Sequence, residues 1–288
     1  MFKNISIPPF YSLVEKGNVF LLLKEKYKDF LLQQGIEDIK TFFKKNLQSA
    51  NYLSGRIPHP SIPIKNNERM VIRQYSHGGW LQPINRDLYL FGSRSFQELT
   101  LTEEIRSCDI PTIQPIGAIH QLVFPPFYKA YFLSLEIPDA KDLVQYFWEI
   151  GAGSSRENTV FKRKIIRSAG LLLREFHQSG FFHGDLQLKN ILVAGDQLFL
   201  IDFDRSFRKR TLSIRERMKN LLRLNRSVEK WKRLGLPMTQ TDRWRFFLAY
   251  SGEDETIHKA MKKAIQTYSI RHLFYRCGWM FEKIVRSS

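Results

Sequence analysis

The chain has 288 residues, enough for one large domain or two small lobes around a shared cleft. Its 43% hydrophobic content excludes a disordered chain, and 45 Lys and Arg against 28 Asp and Glu leave a net charge of +17. That excess calls for an anionic partner: nucleic acid, an acidic lipid surface or a phosphorylated glycan. Two cysteines, Cys108 and Cys277, exclude a disulfide framework and metal-ligand spacing, and point to a reducing compartment.

Met1-Phe2-Lys3-Asn4 leads into Pro8-Pro9, which breaks an early apolar helix, so no signal peptide is expected. The longest apolar runs, such as Val19 to Leu23, fall far short of the ~20 residues that span a bilayer. The expected protein is soluble or peripheral. Residues 1–50 read as a helical N-terminal extension: Val19, Leu22, Leu23, Tyr27, Phe30 and Leu31 share a helical face, and Ile36 to Leu47 gives a second helix.

From 51 to 137 the pattern turns to strands with one helix, as in a small lobe. Ser54-Gly55-Arg56 and Pro58 to Pro63 make a broken stretch where a phosphate-covering loop would sit. Met70 to Tyr75 reads as a strand, and Ser93 to Arg106 as an amphipathic helix with Ser93 as its cap. Pro111 to Ile119 and Ala130 to Ile137 read as two further strands. Residues 138–288 read as a helical lobe, with helices over Asp142 to Ile150 and Thr159 to Ser179 flanking a Gly/Ser loop. The long helix buries Ile165, Ile166, Ala169, Leu172, Leu173 and Phe176 and delivers the chain to His183.

There the chain reads His183-Gly184-Asp185-Leu186-Gln187-Leu188-Lys189-Asn190-Ile191-Leu192, and later Leu200-Ile201-Asp202-Phe203-Asp204. Read singly, His-Gly-Asp is a turn and Asp202 the end of a buried strand. Jointly they give an Asp, an Asn five residues on and a second Asp twelve residues further, with a predicted hairpin of Ile191 to Val193 and Gln197 to Ile201 between the last two. Phosphoryl transfer from ATP needs this set: a carboxylate to take the acceptor hydroxyl's proton, and an amide and a carboxylate to hold Mg²⁺. The expected fold is α+β, a bilobal protein-kinase-like architecture with a small sheet-containing N-lobe and a larger helical C-lobe.

In such a fold the third strand carries a Lys for the phosphates, paired with a Glu on the next helix. Here Arg73 and Glu98 stand in those places, and an Arg fork binds phosphate and carboxylate. Read alone, Arg73 is also a strand-edge salt bridge, and Glu98, with Glu103 and Glu104 nearby, also a solvated helix face. Ser134 to Pro138 would be the hinge, where backbone groups of Glu136 and Ile137 would meet adenine.

After Asp202 comes the most basic segment. Residues 205–233 carry twelve Lys and Arg against Glu216 and Glu229, on a predicted helix over 211–234 with Leu221, Leu224, Val228, Trp231 and Leu234 on its apolar face. Such a run is either a solvated face or, in this position, the wall facing an anionic acceptor. Trp244, Phe246 and Phe247, and beyond them Tyr268, Leu273, Phe274, Trp279 and Phe281, read as core of closing helices.

Several runs resemble one family. Val71-Ile72-Arg73-Gln74-Tyr75-Ser76-His77-Gly78-Gly79 is similar to the "LRHYxRGG" of bacterial lipopolysaccharide kinases, above all those acting on 3-deoxy-D-manno-octulosonic acid (Kdo). Ser93 to Glu98 resembles that family's "TRAFREF", Asp109 to Pro115 its "GLPVPRP", His183 to Leu192 its "HGDLNAHNIL", and Ile201 to Asp204 its "IDFD". Asn220 to Lys230 resembles "NLxRLxRSLxK". The resemblance spans roughly residues 50 to 235. Gln187-Leu188-Lys189 in place of Asn-Ala-His and Gln74 in place of His depart from it.

The resemblance implies phosphorylation of the 4-hydroxyl of Kdo on lipid A, with ATP and Mg²⁺, by a cytoplasmic protein peripheral on the inner membrane of a Gram-negative bacterium. Asp185 would be the base, Asn190 and Asp202 would hold Mg²⁺, and Arg73, positioned by Glu98, would meet the ATP phosphates. Arg215, Arg223, Arg226 and Lys230 would face the acceptor's carboxylate and phosphates. An anionic glycolipid and the inner-membrane surface account for the charge without nucleic acid. A heptose kinase of the lipopolysaccharide core and a non-catalytic kinase-like lipid-binding module are the alternatives. A protein kinase would carry an Ala-Pro-Glu-like anchor, which the chain lacks, and an aminoglycoside kinase an acidic pocket, which residues 205–233 contradict.

Overall fold

In the computed structural model, residues 6–53, 59–76, 87–152 and 155–264 are described. The chain divides into two compact units, one of residues 1–140 with 199–207, the other of 141–198 with 208–288.

The first unit begins with a hairpin, β1 (Tyr11–Lys16) and β2 (Val19–Lys24), turned by Gly17 and Asn18. Gly17 has φ +60°, the left-handed region that a two-residue hairpin turn requires. Helices α1 (Glu25–Gln33) and α2 (Ile39–Asn46) follow, then β3 (Asn51–Leu53), β4 (His59–Pro63), β5 (Arg69–Gln74), β6 (Tyr89–Leu90), α3 (Arg94–Arg106), β7 (Pro115–Phe124) and β8 (Phe127–Leu135). The strands form one antiparallel sheet in the order β1-β2-β7-β8-β5-β4-β3, with β6 paired to β8.

Two expectations change here. Val19 to Leu23 is a strand, not part of a helical extension, and residues 11–24 belong to the sheet. A short, unbroken apolar run does not tell strand from helix by periodicity. Burial on both faces decides it: Leu21 and Leu23 pack with Tyr27, Leu31, Ile39 and Phe42 of α1 and α2, while Leu22 packs with Phe96 and Leu99 of α3. Helices therefore cover both faces of the sheet. Residues 59–63 are likewise a strand, between β3 and β5, and not an open loop; Ser54-Gly55-Arg56 and Pro58 lie outside the described residues, as do His77-Gly78-Gly79.

The second unit opens with β9 (Lys141–Asp142), α4 (Leu143–Ala152) and the long α5 (Arg156–Gln178), which starts three residues before the predicted point because Ser155 caps it by accepting from the Asn158 N–H. Next come β10 (Phe181–Phe182), β11 (Ile191–Ala194), β12 (Gln197–Leu200), β13 (Phe207–Arg208), α6 (Ile214–Arg233) and α7 (Gln240–Ser251). β9, β11 and β12 make a small sheet with β11 central. α7 crosses α5 at Gly170, where a Cβ would lie 2.8 Å from the Ala249 Cβ and the Phe246 carbonyl. Ser213 and Glu216 cap α6 reciprocally.

Of the expected core aromatics, Phe247 is buried and Phe246 half-buried, but Trp244 is exposed and stacks on Phe247 from outside. On α6, Trp231 is half-buried and Leu234, just past its end, is exposed, so the predicted apolar face stops at Val228. α4 to α7 line a cavity of about 1140 Å³, with Ala264, the last described residue, on its wall. Tyr268, Leu273, Phe274, Trp279 and Phe281 lie outside the described residues.

Candidate active site

The first unit holds five of the predicted residues, Arg73, Glu98, Glu136, Ile137 and Asp202, and brings three of them together. Strand alternation turns Ile72 toward α1 and α2 and leaves Arg73 and Tyr75 on the α3 side. There Arg73 Nη2 donates to Glu98 Oε1 at 2.5 Å and Nη1 to Asp202 Oδ1 at 2.5 Å. Tyr75 donates its hydroxyl to the other Glu98 oxygen, and the Phe203 N–H donates to Glu98 Oε1 at 3.1 Å. The Glu98 side chain is 1% exposed. Burial pushes its carboxyl up, against the pull of Arg73. Burial also opposes the Arg73 charge, but Glu98 and then Asp202 beside it outweigh that and hold its pKa above the ordinary value. The guanidinium therefore stays charged. Glu98 is no solvated helix face.

Asp202 sits at φ +65°, a strained conformation for a non-glycine residue. The stretch around it is anchored by Thr112, whose hydroxyl donates to the Leu200 carbonyl at 2.5 Å, and by the Leu200 N–H on the Pro111 carbonyl at 3.0 Å. Asp204 pairs with Arg94 of α3 at 3.2 Å; burial pushes its carboxyl up, partly offset by that Arg. Beyond β8, Glu136 is held by its own strand neighbours: its carboxylate accepts from Ser61 and Arg69, and its N–H donates to the Arg69 carbonyl at 2.8 Å. Adenine recognition by this residue would fall to its carbonyl. The Ile137 carbonyl accepts from the Ala140 N–H at 3.3 Å.

The second unit holds Asp185, Asn190 and the predicted basic residues of α6. Asp185 and Arg223 form an ion pair at 2.9 Å, each side chain 44% exposed. Arg223 Nη1 also donates to the Gly184 carbonyl at 2.6 Å, and Gln187 donates to Asp185 Oδ2 at 2.9 Å. The Asn190 amide nitrogen donates to the Asp185 carbonyl at 2.8 Å, which fixes Asn190 Oδ1 as its remaining, ligand-type atom. Asn190 offers an amide oxygen and, in the first unit, Asp202 a carboxylate oxygen, each of a kind that suits Mg²⁺. No group of three or more His, Cys, Asp and Glu poised for a metal occurs among the described residues.

Below the loop lies a buried polar network that sequence reasoning missed. Asn220 Oδ1 accepts from the His183 N–H at 2.9 Å, and Asn220 Nδ2 donates to the His183 carbonyl at 2.8 Å. His177 lies 3.1 Å from Asn220 Oδ1 and 2.6 Å from the Tyr250 hydroxyl. His177, His183 and Asn220 are all 0% exposed. The Asp185 N–H donates to His183 Nδ1 at 3.1 Å, and the Leu188 N–H to the Ser227 hydroxyl at 3.2 Å. The i, i+3, i+7 spacing of Asn220, Arg223 and Ser227 was the available signal.

At about 100° per residue, Arg215, Lys219, Arg223, Arg226 and Lys230 fall within about 80° of the α6 circumference. All five are exposed. Only Arg223 is drawn to the loop. Lys219 stands 5.8 Å from the Phe182 ring and Lys230 5.7 Å from the Trp231 ring.

A sheet-bearing unit with a buried Arg–Glu pair, and a helical unit with an Asp–Asn loop, define the protein-kinase-like fold. The structure aligns at a TM-score of 0.54 with WaaP in a solved complex with acyl carrier protein, covering 86% of this chain and 99% of that one at 16% identity. The chain belongs to the lipopolysaccharide kinase (Kdo/WaaP) family, whose model matches residues 62–250. A 3-deoxy-D-manno-octulosonic acid kinase of Xanthomonas campestris pv. campestris (strain B100) is 34% identical over 165 residues, 56% of this chain and 61% of that protein. One from Pasteurella multocida (strain Pm70) is 29% identical over 243 residues, 81% of this chain and 95% of that protein. The chain thus spans about three-fifths of the length of the Xanthomonas relatives and nearly all of the Pasteurella one.

Proposed function

We propose that the protein is an ATP-dependent sugar kinase that phosphorylates lipopolysaccharide, at the 4-hydroxyl of Kdo on lipid A. The observation that carries this reading is the loop around Asp185: a half-exposed carboxylate, held by Gln187 and Arg223, beside an exposed stripe of cations. Asp185 orients the sugar hydroxyl and accepts its proton as the oxygen attacks the γ-phosphorus of ATP. Arg73, held by Glu98, meets the ATP phosphates, and backbone groups of Glu136 and Ile137 take the adenine. Asn190 and Asp202 would hold Mg²⁺, which would neutralise charge on the transferring phosphoryl group. The products are the sugar phosphate and ADP.

Arg215, Arg226 and Lys230 bind anions of the acceptor. Those anions are the Kdo carboxylate and the lipid A phosphates. The work place is the inner face of the bacterial inner membrane, where Lys and Arg near anionic headgroups contribute about 1 kcal/mol each to binding. No described helix is long and apolar enough to cross a membrane.

Purified Kdo-lipid A incubated with the protein, ATP and Mg²⁺ should gain one phosphate by mass spectrometry, on Kdo. Asp185→Ala should abolish that gain while keeping the fold and ATP binding. A gain only on heptosylated core moves the acceptor to heptose. ATP binding without transfer to either supports the non-catalytic module.

A further inference from the structure

Around α6 the side chains sort into three arcs. Met218, Leu221, Leu224 and Val228 are buried. Arg215, Lys219, Arg226 and Lys230 form the exposed stripe. Between them Asn220, Arg223 and Ser227 each take a different group of the loop: the His183 backbone, the Gly184 carbonyl with the Asp185 carboxylate, and the Leu188 N–H. Arg223 sits where the loop-facing arc meets the stripe.

We infer that Arg223 is a positioning residue for Asp185, and that its main part in turnover is to aim the carboxylate, not to hold the acceptor's anions. The inference rests on the reading of Asp185 as the base. Three observations carry it. The guanidinium bonds the carboxylate and, through its other nitrogen, the backbone carbonyl of the preceding residue, so carboxylate and loop are registered to one rigid helix. Gln187 fixes the second carboxylate oxygen, so rotation of the group breaks one bond or the other. The other stripe cations, Arg215, Lys219, Arg226 and Lys230, are not among the ion pairs of the described residues. With both partners nearly half exposed, the pair adds little to stability. Its value is geometric, because a reacting group displaced by about 1 Å loses roughly 100-fold in rate.

Arg223→Gln, Arg223→Lys and Arg226→Gln would be compared by steady-state kinetics on Kdo-lipid A and by amide hydrogen exchange of residues 183–190. Arg223→Gln should lower kcat roughly 10- to 100-fold with KM for ATP and acceptor within a few-fold, and should speed exchange at Asp185 and Leu188. Arg223→Lys keeps the charge but not the planar fork, and should recover only part of kcat. Arg226→Gln should instead raise the acceptor KM. The inference is overturned if Arg223→Gln raises only the acceptor KM as Arg226→Gln does, or if kcat and loop exchange both stay at the wild-type level. If wild-type protein phosphorylates no Kdo acceptor, the functional reading fails, and loop exchange alone still decides whether Arg223 holds the loop.

Discussion

Glu98 is nearly solvent-free and makes bonds to Arg73, Tyr75 and the Phe203 N–H. Removing it leaves a partly buried guanidinium with Asp202 as its remaining carboxylate and takes one acceptor from the Phe203 N–H. Losing one member of a buried pair costs about 3–5 kcal/mol. Glu98→Ala should therefore lower the urea-unfolding free energy by at least about 3 kcal/mol, and Glu98→Gln by clearly less, since its amide oxygen still accepts from Phe203. Equal losses for the two variants would mean that the carboxylate's charge, not its shape, is what Arg73 needs. The motif Asp202-Phe203-Asp204 is thus tied through its backbone as well as its side chains. Asp204, assigned no role from sequence, is held by Arg94, the first residue of α3.

Elements are held in place by a few backbone demands. Gly180, between α5 and β10, has φ +86°, and a Cβ there would run into the Lys209 carbonyl; the Lys209 N–H in turn donates to the Gly180 carbonyl at 2.9 Å. Gly180→Ala combines positive-φ strain with that clash, and should cost about 2 kcal/mol or more, read as a drop in Tm. An unchanged Tm would mean that the segment after β13 can move aside freely. α6 is the element with most to do. Its first turn is closed by Ser213 and Glu216, its buried arc packs on the core, its middle holds the loop, and its exposed arc carries the cations. One helix does all this because 3.6 residues per turn separates three faces on a single rod.

For the whole molecule, pH is the lever that reads the buried polar groups together. His120 and His177 are 0% exposed, and burial holds each down to about 4 from an ordinary 6.5. Both enter the folded state neutral. Between those values the unfolded chain binds more protons, so their contribution is complete above about pH 6.5 and is lost as the pH falls toward 4. A shift of this size corresponds to on the order of 3 kcal/mol for each buried ring. Tm should fall steeply from pH 6.5 to 4, and His120→Phe should flatten part of that slope. A Tm independent of pH across this window would mean that the rings are reached by water in the folded state.

The sequence by itself determined the class and offered the candidate set, because spacing is a property of the chain: Asp185 with Asn190, the hairpin that follows, and Asp202 need no packing to be recognised. It also placed Arg73 on a strand and Glu98 on the next helix, since alternation and helical period are local. Tertiary structure alone decided the rest. Val19 to Leu23 became a strand because both its faces are covered, which no single-chain period reveals. Arg223, at the edge of the cation stripe, pairs with Asp185, and Asn220 became the buried anchor of the His183 backbone, because loop and α6 residues 38 and 37 positions apart in sequence pack together. A charge run looks uniform along the chain. Only contact across the fold sorts its members into those that hold the protein and those left exposed.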